Sequence, residues 1–196
     1  MIPPGSGREL LEAAVSYALA GAALATPAQL SRPTPCTSWN LQTLLGHLSD
    51  SIGELTDLIG NAGAAAPAAP PGPWPEGGPV ARLRGQAARL RAARATAGAA
   101  ARLVAIGDRE ITASMVAVTG AIEITVHGWD IFSACGTYLP IPPGLASALL
   151  PTAALLVTPH TRPGLFAGPV RLLGSACPGD QLVAFLGRQP RSPAAT

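Results

Sequence analysis

The run Ala121-Ile122-Glu123-Ile124-Thr125-Val126-His127-Gly128-Trp129-Asp130 constrains this chain more than any other segment. It is apolar except for a few polar residues, and a helix stacks Glu123 and His127 on one face, one turn apart. A carboxylate and an imidazole buried side by side are costly unless something pairs with both. A divalent metal meets that need, taking oxygen and nitrogen donors at about 2.0–2.2 Å. A third donor lies upstream: His47, in the apolar helical pattern Leu41-Gln42-Thr43-Leu44-Leu45-Gly46-His47-Leu48. Of three histidines, two fall inside apolar helical segments, where a surface histidine is out of place; His160, in Thr158-Pro159-His160-Thr161, reads as a solvated loop residue. Glu-x-x-x-His pairs also form simple hydrogen bonds on helix surfaces, so spacing by itself leaves both readings open.

Hydrophobic periodicity predicts a series of helices. The first spans about Gly7 to Ala25, with Leu10, Leu11, Ala14 and Val15 at helical spacing. Glu9 and Glu12 before its apolar part argue against a signal peptide. Ser31 to Ser38 holds two prolines and reads as an extended connection, with Thr37 or Ser38 capping a second helix from about Trp39 or Asn40 to Gly60. Residues 61–79 form a Pro/Ala/Gly-rich linker that reads as flexible, carrying Trp74 either as a lid over a site or as a surface staple. A third helix is expected over Val80 to about Ile106, broken by Gly107-Asp108-Arg109. A fourth runs from about Thr112 to Ala134 or Cys135, closed by Gly136. A fifth spans Pro143 to Val157, where Pro151 predicts a kink or early stop. An irregular tail follows, with one short apolar segment at Leu182 to Leu186.

At 196 residues the chain reads as one domain over 1–196. Its 48% hydrophobic but 4% aromatic composition suits helices packed on small and aliphatic side chains. Charged residues make up 12%, a share low enough to favour self-association as a homodimer. The net charge of +2 selects no partner. Arg82, Arg84, Arg89, Arg91, Arg94 and Arg102 lie along the third helix, as a solvated face or as a rim attracting a small anion. No aromatics interleave with them, which argues against nucleic acid, and no stretch has the length and flanks of a membrane span. Cys36, Cys135 and Cys177 are odd in number and widely spaced, which points to a reducing cytoplasm rather than a disulfide framework. Cys36 precedes a helix N-terminus, where it is either a thiol activated by the helix dipole or a structural, partly buried residue.

Pro33 to Leu48, reading Pro-Thr-Pro-Cys-Thr-Ser-Trp-Asn-Leu-Gln-Thr-Leu-Leu-Gly-His-Leu, resembles the opening of the second helix in the DinB-like superfamily. The nearest branch is the actinobacterial one typified by mycothiol-dependent maleylpyruvate isomerase. Glu123-x-x-x-His127-Gly128-Trp129-Asp130 resembles that branch's second motif, and Leu182-Val183-Ala184-Phe185-Leu186-Gly187-Arg188-Gln189-Pro190 is similar to its closing segment. The resemblance implies an all-α, DinB-like up-and-down four-helix bundle with an additional C-terminal helix and an irregular tail. It also implies a metal, typically zinc, on His47, Glu123 and His127.

Three protein ligands leave a fourth position for water or substrate, as in catalytic metal sites. Asp130, three residues after His127, and Asp50, three after His47, are candidates to orient those ligands from behind. In the branch resembled, the metal activates mycothiol, a low-molecular-weight thiol, for addition to an electrophilic small molecule. Addition followed by elimination isomerises the substrate; addition alone gives an S-conjugate. Isomerase members carry a further C-terminal domain where this chain has its tail, so S-transfer or a tailoring reaction of secondary metabolism suits it better. The competing readings are a thiol-independent metalloenzyme (cyclase, isomerase or hydrolase) and a non-catalytic dimer that binds a metal or ligand.

Overall fold

The centre of the fold is a helix wrapped on nearly every side. In the computed structural model, which describes residues 6–36, 38–60, 72–96, 103–106, 109–172 and 174–190, this helix is α4, Ala113–Ala134, and every residue from Ile124 to Phe132 is buried. A helix apolar all round has to be enclosed by other elements. Around it lie α1 (Gly7–Ala22), α2 (Leu41–Gly60), α3 (Gly78–Thr96), α5 (Pro143–Leu156) and α6 (Pro178–Phe185), with a hairpin of β1 (Leu103–Ile106) and β2 (Arg109–Thr112) leading into α4. One apolar cluster joins α1 to α6. Leu44, Leu45, Leu48 and Ile52 of α2 are wholly buried in it, each worth about 1.5–3 kcal/mol of transfer free energy.

Local chemistry accounts for most helix ends. Ser6 and Glu9 form a reciprocal capping box at α1. Thr112 caps α4 by accepting from the Met115 amide, and Gly136, at φ +78°, closes it: Thr137 N–H reaches Phe132 O and Gly136 N–H reaches Ser133 O. The cap of α2 is Asn40, whose side-chain oxygen accepts from the Thr43 amide at 2.9 Å, rather than Thr37 or Ser38; Thr37 lies outside the described residues. In place of an extended connection, Pro33 and Asn40 form a bridge and Thr34 N–H reaches Trp39 O, turning the chain back before α2. The third helix stops at Thr96 and the chain pairs antiparallel instead, from Leu103↔Thr112 to Ile106↔Arg109. Val104, Ile111 and Thr112 are β-branched and favour that pleated pairing over helix. Pro151 sits inside α5 without ending it, and the short apolar segment of the tail forms α6. Part of the expected linker, residues 61–71, lies outside the described residues. Trp74 beyond it packs against Gly46 of α2 and 5.5 Å from Arg82, fastening this connection to the bundle.

The pairings set the direction of each helix. Gly7 lies against Ser114, Gly128 against Tyr17 and Ala18, and Gly21 against Phe132, so α1 and α4 run the same way. Asp50 meets Arg82 and Asp57 meets Arg89, so α2 runs with α3. Leu55 lies against Gly120 and Ser51 against Glu123, which makes α2 antiparallel to α4. The bundle is therefore up-down-down-up rather than strictly alternating. At ~3.3 Å per extended residue the connection 61–77 has ample length to return along α2, which is ~30 Å long.

Of the arginines of α3, Arg91 and Arg94 pair with Glu12, Arg82 with Asp50 and Arg89 with Asp57. They tie α3 to α1 and α2, so these four do not form a free cationic rim for a small anion; Arg102 lies outside the described residues. Burial raises the Glu12 pKa, but the hydrogen bond and charge of Arg91, with Arg94, outweigh it and hold the carboxyl below its ordinary value. A depressed carboxylate stabilises the fold above its unfolded pKa and loses that contribution as pH falls through the folded value. Glu12→Gln should lower the urea midpoint at pH 7 by the equivalent of at most about 1 kcal/mol and narrow the stability difference between pH 7 and pH ~3.5.

Close approach of α1 and α4 depends on Gly128, where a Cβ would lie 2.9 Å from Tyr17 Cδ1 and 3.1 Å from Ala18 Cα. Gly128→Ala is expected to destabilise the protein by about 1–3 kcal/mol in urea denaturation. Gly85→Ala, on α3 with nothing within 4 Å of the added carbon, should instead stabilise it by up to about 1 kcal/mol.

Candidate metal centre

The antiparallel contact of α2 with α4 brings His47, Glu123 and His127 together. One donor atom from each lies within 4.8 Å of the others. His47 Nε2 is 3.1 Å from Glu123 Oε1, and the two imidazole rings are 5.2 Å apart between centroids, nearly perpendicular. The side chains of His47 and Glu123 are 36% and 38% exposed, whereas His127 is buried. The cluster thus has one open side and one closed side. Trp39 covers part of it, its ring 4.5 Å from that of His47 and 5.9 Å from that of His127. Ser51, one turn after His47, donates to Glu123 Oε1 at 2.7 Å. Burial raises the Glu123 pKa, but hydrogen bonds from His47 and Ser51 help bring it below the ordinary value. The carboxylate is anionic at neutral pH.

Behind His127 the network continues inward. Nδ1 lies 3.1 Å from Asp130 Oδ2. Asp130 has no exposed surface, and Arg188 Nη2 donates to the same oxygen at 2.9 Å. Burial raises the Asp130 pKa, but the His127 hydrogen bond and Arg188 outweigh it, so this group too is a carboxylate. An anionic acceptor at Nδ1 favours the proton there and leaves the Nε2 lone pair free for the His47–Glu123 side. The Cys36 thiol donates to Asp130 Oδ2 at 3.4 Å and accepts from Arg188 Nη2 at 3.1 Å. Burial and the Asp130 charge push the thiol up to about 12, against the opposing effect of Arg188. These contacts, with the raised pKa, favour the structural, partly buried reading of Cys36 over a dipole-activated nucleophile.

Asp50 faces elsewhere: its carboxylate accepts from Arg82 at 2.5 Å. The group of α2 that touches Glu123 is its neighbour Ser51, and sequence reasoning missed it. Ser51 lies four residues after His47, and that one-turn spacing was the available signal. Arg188 was visible only as part of the closing segment, with nothing local to indicate its partner. His160 is exposed on its loop. Trp129 is buried in the core.

A mostly helical bundle carrying a His–Glu–His cluster between its second and fourth helices defines the class of protein, a DinB-like bundle. Residues 11–132 match the family described as mycothiol maleylpyruvate isomerase N-terminal domain. The chain belongs to that family. Two uncharacterized proteins of Mycobacterium tuberculosis, from strains CDC 1551 and H37Rv, are each 32% identical over 165 residues, covering 83% of this chain and 87% of theirs. Among solved structures, a histidine-to-alanine mutant of mycothiol-dependent maleylpyruvate isomerase superposes with a TM-score of 0.60 at 19% identity, covering 85% of this chain and 75% of that one. At this identity the likeness establishes the fold. Among the described residues no helix is long and apolar enough to cross a membrane.

Removing one partner of the buried Asp130–Arg188 pair strands the other charge. Asp130→Ala should lower the unfolding free energy of the metal-free protein by about 3–5 kcal/mol, measured by urea denaturation.

Proposed function

We propose that this protein is a metal-dependent enzyme that activates a low-molecular-weight thiol of the mycothiol kind, for S-transfer to an electrophilic small molecule or for its isomerisation. The observation that carries the reading is the convergence of His47, Glu123 and His127, with donor atoms within 4.8 Å of one another and one side open to solvent. Two imidazoles and an anionic carboxylate fit a divalent metal, zinc by preference, and leave a coordination position for a small molecule. Bound there, such a metal lowers the pKa of a coordinated thiol and polarises a substrate carbonyl.

The chain's own residues supply the rest. Ser51 fixes the Glu123 carboxylate, and Asp130 holds the proton on Nδ1 of His127 so that Nε2 is the free donor. Trp39 shields the two imidazoles on one side and restricts water there. The family is described by a mycothiol maleylpyruvate isomerase, which supports a thiol as co-substrate. Cys36, Cys135 and Cys177 are all free, in keeping with a reducing compartment such as the cytoplasm.

Purified protein should carry about one equivalent of zinc per chain by elemental analysis, lost in His47→Ala and in His127→Ala. A cobalt-substituted sample should develop a sulfur-to-metal charge-transfer band on addition of mycothiol and consume an electrophile in a mycothiol-dependent way. Full metal occupancy in both histidine variants would overturn the ligand assignment. Metal binding with no such band, and turnover of an electrophile without added thiol, would replace this reading with a thiol-independent metalloenzyme.

A further inference from the structure

Asp130 Oδ2 lies within hydrogen-bond reach of three groups, one on its own helix and two from distant parts of the chain. His127 Nδ1 of the same helix lies at 3.1 Å, the Cys36 thiol of the turn before α2 at 3.4 Å, and Arg188 Nη2, just past α6, at 2.9 Å. Arg188 Nε approaches the other oxygen at 3.4 Å, so the guanidinium holds both carboxylate oxygens. Cys36 and Arg188 are joined directly, at 3.1 Å between Sγ and Nη2, which closes the network into a ring. The reach of Arg188 is set by the backbone. Gly187 adopts φ +84°, with Arg188 N–H bonded to Val183 O and Gly187 N–H to Ala184 O, the hydrogen bonds of a Schellman cap. A Cβ at Gly187 would lie 2.6 Å from Ala167 O, so this turn requires glycine on two counts.

A carboxylate three residues from its imidazole has several rotamers open to it, and each would move the His127 ring. With Asp130 wholly buried, the positions of Arg188 and Cys36 decide which rotamer is occupied. We propose that Cys36 and Arg188 are positioning residues for His127, acting through Asp130, so that the turn before α2 and the segment closing α6 are both required parts of the site. This rests on the reading of His127 as a metal ligand, and Cys36 and Arg188 touch neither metal nor substrate in it. Arg188 supplies charge and two-point geometry, and Cys36 supplies a donor to Oδ2 together with an acceptor for the guanidinium.

Two measurements test this, one of them on protein without metal. Nitrogen-15 spectra of the metal-free protein, with labelled histidine, should show His127 protonated at Nδ1 and unprotonated at Nε2. In Arg188→Gln and Cys36→Ala that single tautomer should give way to exchange between tautomers, while Cys36→Ser, which keeps a donor, retains it. Zinc affinity, measured by chelator competition, should fall about 10–100-fold in Arg188→Gln and Cys36→Ala, in line with the loss of partners that orient a ligand. It should fall less in Arg188→Lys and stay near wild type in Cys36→Ser and in the remote control Arg84→Gln. If Arg188→Gln fails to fold, the Cys36 pair and Arg188→Lys carry the comparison. A wild-type tautomer together with wild-type zinc affinity in Cys36→Ala and Arg188→Lys would overturn the proposal. Absence of zinc binding by the wild-type protein would instead overturn the metal reading, and the metal-free spectra would still decide whether these residues position His127.

Discussion

Asp130 is an anion without solvent, on a helix enclosed by other helices, and much of the site is arranged around that fact. A carboxylate removed from water has to be matched by charge and hydrogen bonds. Here the match comes from Arg188, Cys36 and His127. The first two lie in segments far from α4 in sequence, so satisfying this charge draws the turn before α2 and the segment after α6 onto the central helix. The imidazole is held on the same oxygen and points its other nitrogen toward Glu123 and His47.

Backbone proximity supplies the second half of the arrangement. Gly7 and Gly128 stand where the helices approach too closely for an ordinary side chain, and Gly21 and Gly120 give room to Phe132 and Leu55. With α1 pressed against one face of α4, the face carrying Glu123 and His127 is left to α2. Because α2 runs antiparallel to α4, advancing from His47 to Ser51 and Leu55 moves back along α4 from His127 toward Glu123 and Gly120. The ion pairs of α3 with Glu12, Asp50 and Asp57 are partly exposed and individually weak; they align the outer helix without touching the cluster.

The family relationship and the geometry bear on different questions. Membership of the mycothiol maleylpyruvate isomerase N-terminal-domain family agrees with a bundle that brings one histidine of the second helix to a glutamate and a histidine of the fourth. The exposure of His47 and Glu123, against the burial of His127 and Asp130, concerns the chemistry: the cluster can meet a small molecule from one side and is locked from the other. Trp39 lies at the boundary between the two.

The helical segments were legible because their information is local. Apolar spacing marks α1, α2, α4 and α5, and Gly136 marks the end of α4. Glu123 and His127 share a face by helical spacing alone, and Asp130 returns to the His127 side for the same reason. β1 falls inside the helix that spacing predicts up to Ile106, because a short Ala- and Leu-containing segment fits both periods, and pairing with β2 decides it. Asp50 was expected beside the ligands, yet it turns to Arg82 on a neighbouring helix that its own spacing does not reveal. That α2 and α3 run in the same direction, that Ser51 reaches Glu123, and that Arg188 crosses 58 residues to Asp130 were settled only by tertiary packing. Side-chain periodicity states which face of a helix is apolar; which other face it meets depends on how closely the backbones approach and on which buried charges require a partner.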